Sequence, residues 1–293
     1  MMIGPGPLLR HRTTLKLGGR ALAEVVVEHE RDLDALGEQL RRLGGEALVL
    51  GEGSNILAAD RDLPVVLVRI ALPDQPRIVH DTRDAAVVFA SAGMRLPRLL
   101  GWLCSRGLSG LEALTGIPGS LGGAVAMNAG SYGVDMAQVL DRILVWTAAQ
   151  GAIWREPGQW RAGYRFLDAK VEGRPVLMLG AELRLQRAPR NVVQAGMRRF
   201  YMQKKASQPV TMASAGCVFK NPASGQPAGR LLEQAGLRGR RLGNMIFSEH
   251  HANFLVNLGG GRSEHALELL DLARQRVADI FGLRLETEVK VVS

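Results

Sequence analysis

Gly116-Ile-Pro-Gly-Ser-Leu-Gly-Gly-Ala-Val-Ala-Met-Asn-Ala-Gly-Ser-Tyr-Gly133 carries six glycines in eighteen residues. Each glycine inside a regular element costs about 0.5–1 kcal/mol, so the stretch reads as irregular backbone and not as an ordinary helix or strand. Its useful property is backbone N–H that can come close to a pyrophosphate, as in other phosphate-binding loops. The structural alternative is a long surface loop, although loops of this length in small domains usually have a task. A second cluster, Gly51-Glu-Gly-Ser-Asn-Ile-Leu57, follows a predicted strand. Ile56 stands where a dinucleotide fingerprint needs its third glycine, and no Gly-Lys pair makes a P-loop. A two-residue hairpin turn is its simplest structural account. Two such loops in one chain suggest two contact surfaces for one long phosphorylated ligand.

Working outward, Ala21–Val27 is Val-rich and strand-like, and His29–Leu43 spaces Leu33, Leu36, Leu40 and Leu43 as an amphipathic helix does. Ala47–Leu50 and Val65–Ile70 read as further strands, which closes a first α/β domain near residue 70. Ala85–Ser91, Val139–Ala149, Ala152–Arg155 and Val176–Gln186 read as strands of a second domain, with a helix over Leu96–Arg106. Pro189 stands at a first helical position before Val192–Lys205, which must stop ahead of Gln208-Pro209. A last helix has Ser263 as N-cap and Gly282 just beyond its end. One strand, Arg284–Val292, follows and places Arg284, Glu286, Glu288 and Lys290 on one face. The expected fold class is α+β with domains at 1–70, 71–188 and 189–283, the strand 284–293 returning to the first two.

The length of 293 residues accommodates several cores, and 46% hydrophobic with 22% charged residues describes a globular chain. A net charge of +9, carried almost wholly by arginine, points to acidic partners. Nucleic acid, phosphorylated cofactors and anionic substrates all satisfy it, as does a solvated basic surface. Arginines are dispersed and aromatics amount to only 5%, so stacking platforms for nucleic acid are scarce. Cys104 and Cys217 are the only cysteines; they form neither a disulfide framework nor a zinc site. No stretch is long and apolar enough to span a bilayer or resembles a signal peptide, so a cytoplasmic protein without metal is expected.

A third cluster, Ser214-Ala-Gly-Cys-Val-Phe-Lys-Asn-Pro222, sets a thiol with an ordinary pKa of about 8.5 between Gly216, which lets the backbone bend, and the polar Lys220 and Asn221. A lone cysteine is ordinarily a small buried hydrophobe; these neighbours make Cys217 a candidate.

Together with Gly163-Tyr-Arg165, the run Ser248-Glu-His-His-Ala-Asn-Phe254 and the closing Leu285-Glu-Thr-Glu-Val289, the three clusters resemble, in order and over nearly the whole chain, the UDP-N-acetylenolpyruvoylglucosamine reductases. The resemblance implies two domains that hold FAD in the manner of vanillyl-alcohol-oxidase-like flavoproteins and a third that closes on a UDP-sugar. It implies a cytoplasmic, monomeric enzyme of peptidoglycan synthesis. NADPH reduces FAD there, and the reduced flavin passes hydride to C3 of an enolpyruvyl ether while C2 receives a proton. It further implies contacts to FAD from Gly51, Glu52, Gly53, Ser54, Asn55 and Ile56, and from Gly116, Pro118, Gly119, Ser120, Gly122, Gly123, Ala124, Asn128 and Gly130. Three phosphorylated ligands then account for the basic charge.

Position by position, Arg165 matches the family's arginine at the substrate carboxylate, where it can stabilise an enolate. Glu288 matches the glutamate that works with it, and only the motif distinguishes it from Glu286. Cys217 stands where the family usually has the serine that protonates C2; a thiol can fill that role. Tyr164, Lys204, Lys220, Asn221, Gln234 and His251 match substrate-binding positions, with Lys204 and Lys205 suited to a diphosphate. Arg165 is followed by Phe-Leu-Asp where a serine two residues on is common. The short interval to Cys217 marks a compact subclass without the tyrosine-bearing capping loop, leaving Lys220, Asn221 and the C-terminal segment as candidate caps. The alternatives weighed are another FAD oxidoreductase of this architecture and a basic nucleic-acid-binding protein.

Overall fold

The computed structural model describes residues 1–73, 75–223 and 225–293. By backbone contacts the chain forms two units, Met1–Gly6, Leu22–Glu52 and Pro64–Gln203 in one, and Pro7–Ala21, Gly53–Leu63 and Lys204–Ser293 in the other.

Besides two two-stranded sheets, the first unit holds two large ones. In one, the strands run in the order Met2–Pro5, Ala23–Val27, Val65–Ile70, Glu46–Val49; the last three are mutually parallel and the first is antiparallel. Alternate residues of Ala23–Val27 are buried, as period two requires. The helix Asp32–Leu43 brings Leu33 and Leu36 onto Val25, Val27, Val66 and Val68. It begins after the expected start at His29 because the Asp32 carboxylate accepts the N–H groups of Glu28 and His29, each at 2.9 Å, and fixes that turn outside the helix. The second sheet is antiparallel, in the order Gly151–Arg155, Leu140–Thr147, Leu177–Arg187, Ala85–Ser91, Arg77–Asp81. Over it lies the helix Leu96–Ser105, whose Leu96, Leu99, Leu100 and Leu103 pack on Val88, Ala90, Ile143 and Leu183. The next long helix, Arg190–Ser207, starts one residue after Pro189, whose carbonyl accepts from Val192 and Val193. Pro189 therefore precedes the first turn instead of forming it.

The glycine-rich stretch is more regular than its composition suggests. Leu121–Ala126 is a helix despite Gly122 and Gly123, capped by Ser120, whose Oγ accepts from Gly123 N at 3.3 Å. Buried Leu121 and Val125 anchor it, and a Cβ on Gly122 would stand 2.8 Å from Ala92 Cβ, so tertiary packing overrides propensity. Beyond it, Gly130–Ser131 pairs with Val134–Asp135 around Tyr132 and Gly133, both at positive φ, the conformation of a type I′ hairpin turn.

In the second unit the sheet order is Ala213–Cys217, Phe254–Asn257, Met245–Phe247, Arg241–Leu242, antiparallel throughout. The helices Ala228–Gln234 and Ser263–Phe281 cover a core that includes Phe219, Leu231, Phe247, Leu255, Leu270 and Val277. Near the chain end only Lys290–Val292 is strand, paired in parallel with Ile56–Ala58. Gly51–Leu57 is thus no hairpin turn: the strand before it pairs with Val65–Ile70, and the one after it with the C-terminal strand.

Gly282 ends the last long helix in the left-handed conformation, φ 66, but Ser263 does not cap its start. Ser263 is the first helical residue, and its N–H donates to Asp60 Oδ2 at 2.6 Å while Asp60 N donates to Ser263 Oγ at 2.9 Å. This is a capping exchange across the chain, completed by Gly18 N on Asp60 Oδ1 at 3.0 Å. Burial pushes the Asp60 carboxyl up, but the bonds from Ser263 and Gly18 and the charge of Arg10 outweigh it and hold the pKa below the ordinary value. Such a depressed carboxylate contributes stability that is complete above about pH 4 and lost as pH falls through its folded value. Asp60→Ala is expected to cost about 1 kcal/mol at neutral pH, the usual effect of a lost cap. The deficit should shrink on acidification, checked by urea denaturation at several pH values.

Among the described residues, no helix is long and apolar enough to cross a membrane and no group of three His, Cys, Asp or Glu could hold a metal ion.

Candidate active site

The sequence candidates fall into two sets, one in each unit. The loop Gly51–Ile56 is divided between them, with Gly51 and Glu52 in the first and Gly53–Ile56 in the second.

In the first unit, Gly51 lies against the glycine-rich stretch: a Cβ there would be 2.2 Å from Ser120 Oγ. Glu52 carries the neighbouring ion pair, 3.1 Å from Arg95 Nε. The N–H groups expected to face a phosphate are partly spent inside the protein. Leu121 N donates to Met94 O and Gly122 N to Ala92 O, both at 2.8 Å, and Gly123 N is taken by Ser120. What remains accessible is Pro118 and Gly123, both exposed, and the turn before the helix, where Gly116 and Gly119 take φ values of 87 and 132 that disfavour a side chain. At Gly123 a Cβ would meet only Ser120 Oγ, at 3.5 Å. These residues fit FAD as a close-approach backbone wall, not as a helix end with unspent donors. Ala124 and Asn128 are buried, at 8% and 4% exposure.

Arg165 is set by a two-residue turn between Arg161–Gly163 and Phe166–Asp168, with Gly163 paired to Phe166. Its φ is 62, unusual for a residue with a long side chain. Its Nη1 donates to Gly130 O at 3.2 Å, and its guanidinium lies 5.1 Å from the ring centre of the exposed Tyr164. From the other end, Asn128 Nδ2 donates to Gly163 O at 3.1 Å. The stretch that sequence reading gave to the cofactor thus also holds the arginine turn.

In the second unit the backbone just beyond Cys217 meets the backbone of Glu288. Cys217 ends the strand Ala213–Cys217 after a register shift, with Gly216 at φ 74 supplying the bend. The chain beyond it runs beside the C-terminal segment: Glu288 N donates to Val218 O at 2.8 Å, Lys220 N donates to Glu286 O at 2.9 Å, and Phe219 bridges Thr287. The two carboxylates that the sequence could not separate are distinct here. Glu286 is exposed and lies 3.5 Å from Lys220 Nζ, whereas Glu288 Oε2 is buried. Asn55 joins this set, its Nδ2 donating to Glu288 O and its carbonyl accepting from Lys290 N, each at 3.0 Å. Gly53 sits beside it with φ 63, where a Cβ would be 2.1 Å from Arg12 O. Cys217 is a partly exposed thiol outside any disulfide.

The remaining candidates differ in what they already do. Asn221 Oδ1 accepts from Ala228 N at 2.9 Å and so caps the helix Ala228–Gln234, whose last residue, Gln234, is exposed. The His251 ring lies on this helix at Gly229, where an added Cβ would be 2.8 Å from Cε1 and would have to push the ring aside. Burial pushes the His251 pKa below its ordinary value. Lys204 is buried at 2% exposure and its pKa is pushed down to about 8 by that burial, whereas Lys205 is exposed.

Sequence reading missed Asn253, although it lies in a motif that was noticed. Its Oδ1 accepts from Phe219 N at 3.0 Å and its Nδ2 donates to Phe219 O at 2.8 Å, while its carbonyl accepts from Val218 N. One side chain thereby stands in for a neighbouring strand beside Cys217. Thr14 was missed too; its hydroxyl donates to Ser214 O at 2.6 Å. Membership of the quoted run Ser248–Phe254 was the available signal for Asn253; Thr14 gave none.

Comparison with known proteins matches both ends of the chain. Residues 21–155 match the FAD binding domain family, and residues 208–292 match the family described as UDP-N-acetylenolpyruvoylglucosamine reductase, C-terminal domain. The UDP-N-acetylenolpyruvoylglucosamine reductase of Nitratidesulfovibrio vulgaris is 52% identical over 288 residues, covering 98% of this chain and 97% of that protein. That of Oleidesulfovibrio alaskensis is 49% identical over 288 residues, covering 98% and 96%. The crystal structure of UDP-N-acetylenolpyruvylglucosamine reductase from Thermus caldophilus superimposes with a TM-score of 0.83 at 34% identity, covering 100% of both chains. Motif order, end-to-end coverage and fold agree, and the chain belongs to the UDP-N-acetylenolpyruvoylglucosamine reductase family.

Proposed function

We propose that the chain reduces UDP-N-acetylenolpyruvoylglucosamine to UDP-N-acetylmuramate for peptidoglycan synthesis, with FAD bound and NADPH as reductant. The observation that best supports this is the run of residues 218–220 beside 286–288, which sets the backbones of the proposed acid and the proposed carboxylate next to each other. Family membership sets aside a nucleic-acid-binding role and another flavin oxidoreductase.

FAD, which the 51–56 and 116–130 loops would hold, would supply hydride transfer from NADPH to C3 of the enolpyruvyl group. The protein's own residues do the rest. Arg165 holds the substrate carboxylate and stabilises negative charge as it spreads toward an enolate, an electrostatic role that a permanently charged guanidinium fills without gaining or losing a proton. Cys217 Sγ holds the proton that C2 receives. Glu288, with a buried carboxylate oxygen, is the second residue at the enolate. Lys204, Lys205, Lys220, Asn221, Gln234, His251 and Tyr164 serve the UDP-sugar, and the 51–56 and 116–130 loops serve FAD. In this reading the chain has three domains and acts as a cytoplasmic monomer.

The test is anaerobic spectroscopy of the purified protein. Oxidised-flavin absorption should be present, should bleach with NADPH, and should return on adding UDP-N-acetylenolpyruvoylglucosamine. A protein without flavin, or a reduced flavin that the substrate does not reoxidise, overturns the reading.

A further inference from the structure

We infer that Asn128 is a positioning residue for Arg165, holding the turn that presents the guanidinium, and is not itself a contact to the cofactor. The inference rests on the reading of Arg165 as the residue that stabilises the enolate. Asn128 has 4% of its surface exposed, so it offers a ligand almost nothing to touch. Its side chain is committed within the protein. Oδ1 accepts from Ala137 N at 2.8 Å, and Nδ2 donates to Gly163 O at 3.1 Å. Gly163 closes the strand Arg161–Gly163, two residues before Arg165. Arg165 reaches back to Gly130, two residues beyond Asn128. Two side-chain-to-backbone bonds therefore tie residues 128–130 to residues 163–165, one from each side.

The tie matters because of the backbone at Arg165. A long side chain at φ 62 is disfavoured in an isolated turn, so surrounding contacts must hold it there. The Asn128 amide supplies one of them at the base of the turn. Position 128 also narrows its own chemistry. Its φ of 40 is a conformation that glycine, asparagine and aspartate tolerate best. Ala137 N requires an acceptor and Gly163 O a donor. Aspartate keeps the acceptor but sets an oxygen against the Gly163 carbonyl, and glycine keeps only the backbone; asparagine meets all three demands.

Asn128→Asp and Asn128→Gly, made in the full chain with its flavin, test this. Both should lower kcat for substrate reduction by about 10- to 100-fold, the effect of misplacing a reacting group by a fraction of an ångström to an ångström. Flavin content, flavin absorption and the rate of bleaching by NADPH should stay at wild-type values. In an Arg165→Ala background, Asn128→Asp should have no further effect on kcat. An equal fall with and without Arg165 overturns the inference, because Asn128 then acts independently. A wild-type kcat in both single variants overturns it, and so does loss or spectral shift of the flavin in Asn128→Gly, which would make the residue a cofactor contact. Normal turnover in Arg165→Ala alone would remove the role of Arg165 first, and the inference with it. That result is read in a different variant and is not confused with failure at Asn128.

Discussion

Replacing Cys217 by Ala should slow substrate reduction by about 10²–10⁴-fold, the range for loss of a positioned general acid, while flavin bleaching by NADPH proceeds at the wild-type rate. The split follows from where the proton is needed. Hydride transfer between NADPH and the flavin does not involve C2 of the substrate, so a proton donor to C2 has no part in it. Stopped-flow measurement of the two half-reactions separates the steps, and equal loss in both would sink the assignment. Cys217→Ser should retain much of the wild-type rate, because a hydroxyl is the group that usually fills this place in the family. Alkylation gives a second readout: Cys217 is partly exposed, so a thiol reagent should block the substrate half-reaction and substrate should protect against it. Cys104, in the helix Leu96–Ser105, is a partly exposed thiol as well. The comparison therefore belongs in a Cys104→Ser background.

Arg165→Gly should lower kcat by about 10²–10³-fold, as removal of a donor to a developing oxyanion does, yet leave the protein as stable as wild type. Two contributions oppose each other. Loss of the bond to Gly130 O costs about 1 kcal/mol. Release of a side chain from φ 62 returns about 1–2 kcal/mol, and the greater freedom of glycine in the unfolded chain removes part of that gain. Urea midpoints of wild type and variant should therefore agree closely while activity collapses. A large fall in stability would show that the arginine is structural. Arg165→Lys separates charge from shape: it keeps a cation but not the planar fork, and should recover only part of the activity.

The long elements were readable because their signals are periodic and local. Val65–Ile70 and Ala85–Ser91 follow the predicted bounds, and the helix Leu96–Ser105 differs by one residue. Two- and three-residue strands such as Arg241–Leu242 and Met245–Phe247 are too short to show a period. The helix in the glycine-rich stretch was hidden because its stability comes from Leu121, Val125 and the approach to Ala92, which composition does not record. Of the proposed site, Arg165, Cys217 and Glu288 were legible only as parts of motifs. The physics that supports them is non-local: Asn128 bonds 35 residues along the chain, Asn253 bonds 34, and Ser263 finds its cap 203 residues away at Asp60. Burial of Glu288 Oε2 beside exposed Glu286 likewise depends on what lies across from each, not on the alternation of the strand.

The chain passes between its two units at Gly6, Ala21, Glu52, Leu63 and Gln203, and the parallel pair of Ile56–Ala58 with Lys290–Val292 joins nearly the first and last parts of the sequence. During synthesis the earlier strand must wait unpaired until the much later one has been made. Completion of the second unit is thus a late event in folding. In every nascent chain that stops short of Lys290–Val292, the edge of Ile56–Ala58 is therefore left open, and a strand made early depends on one made far later to close it.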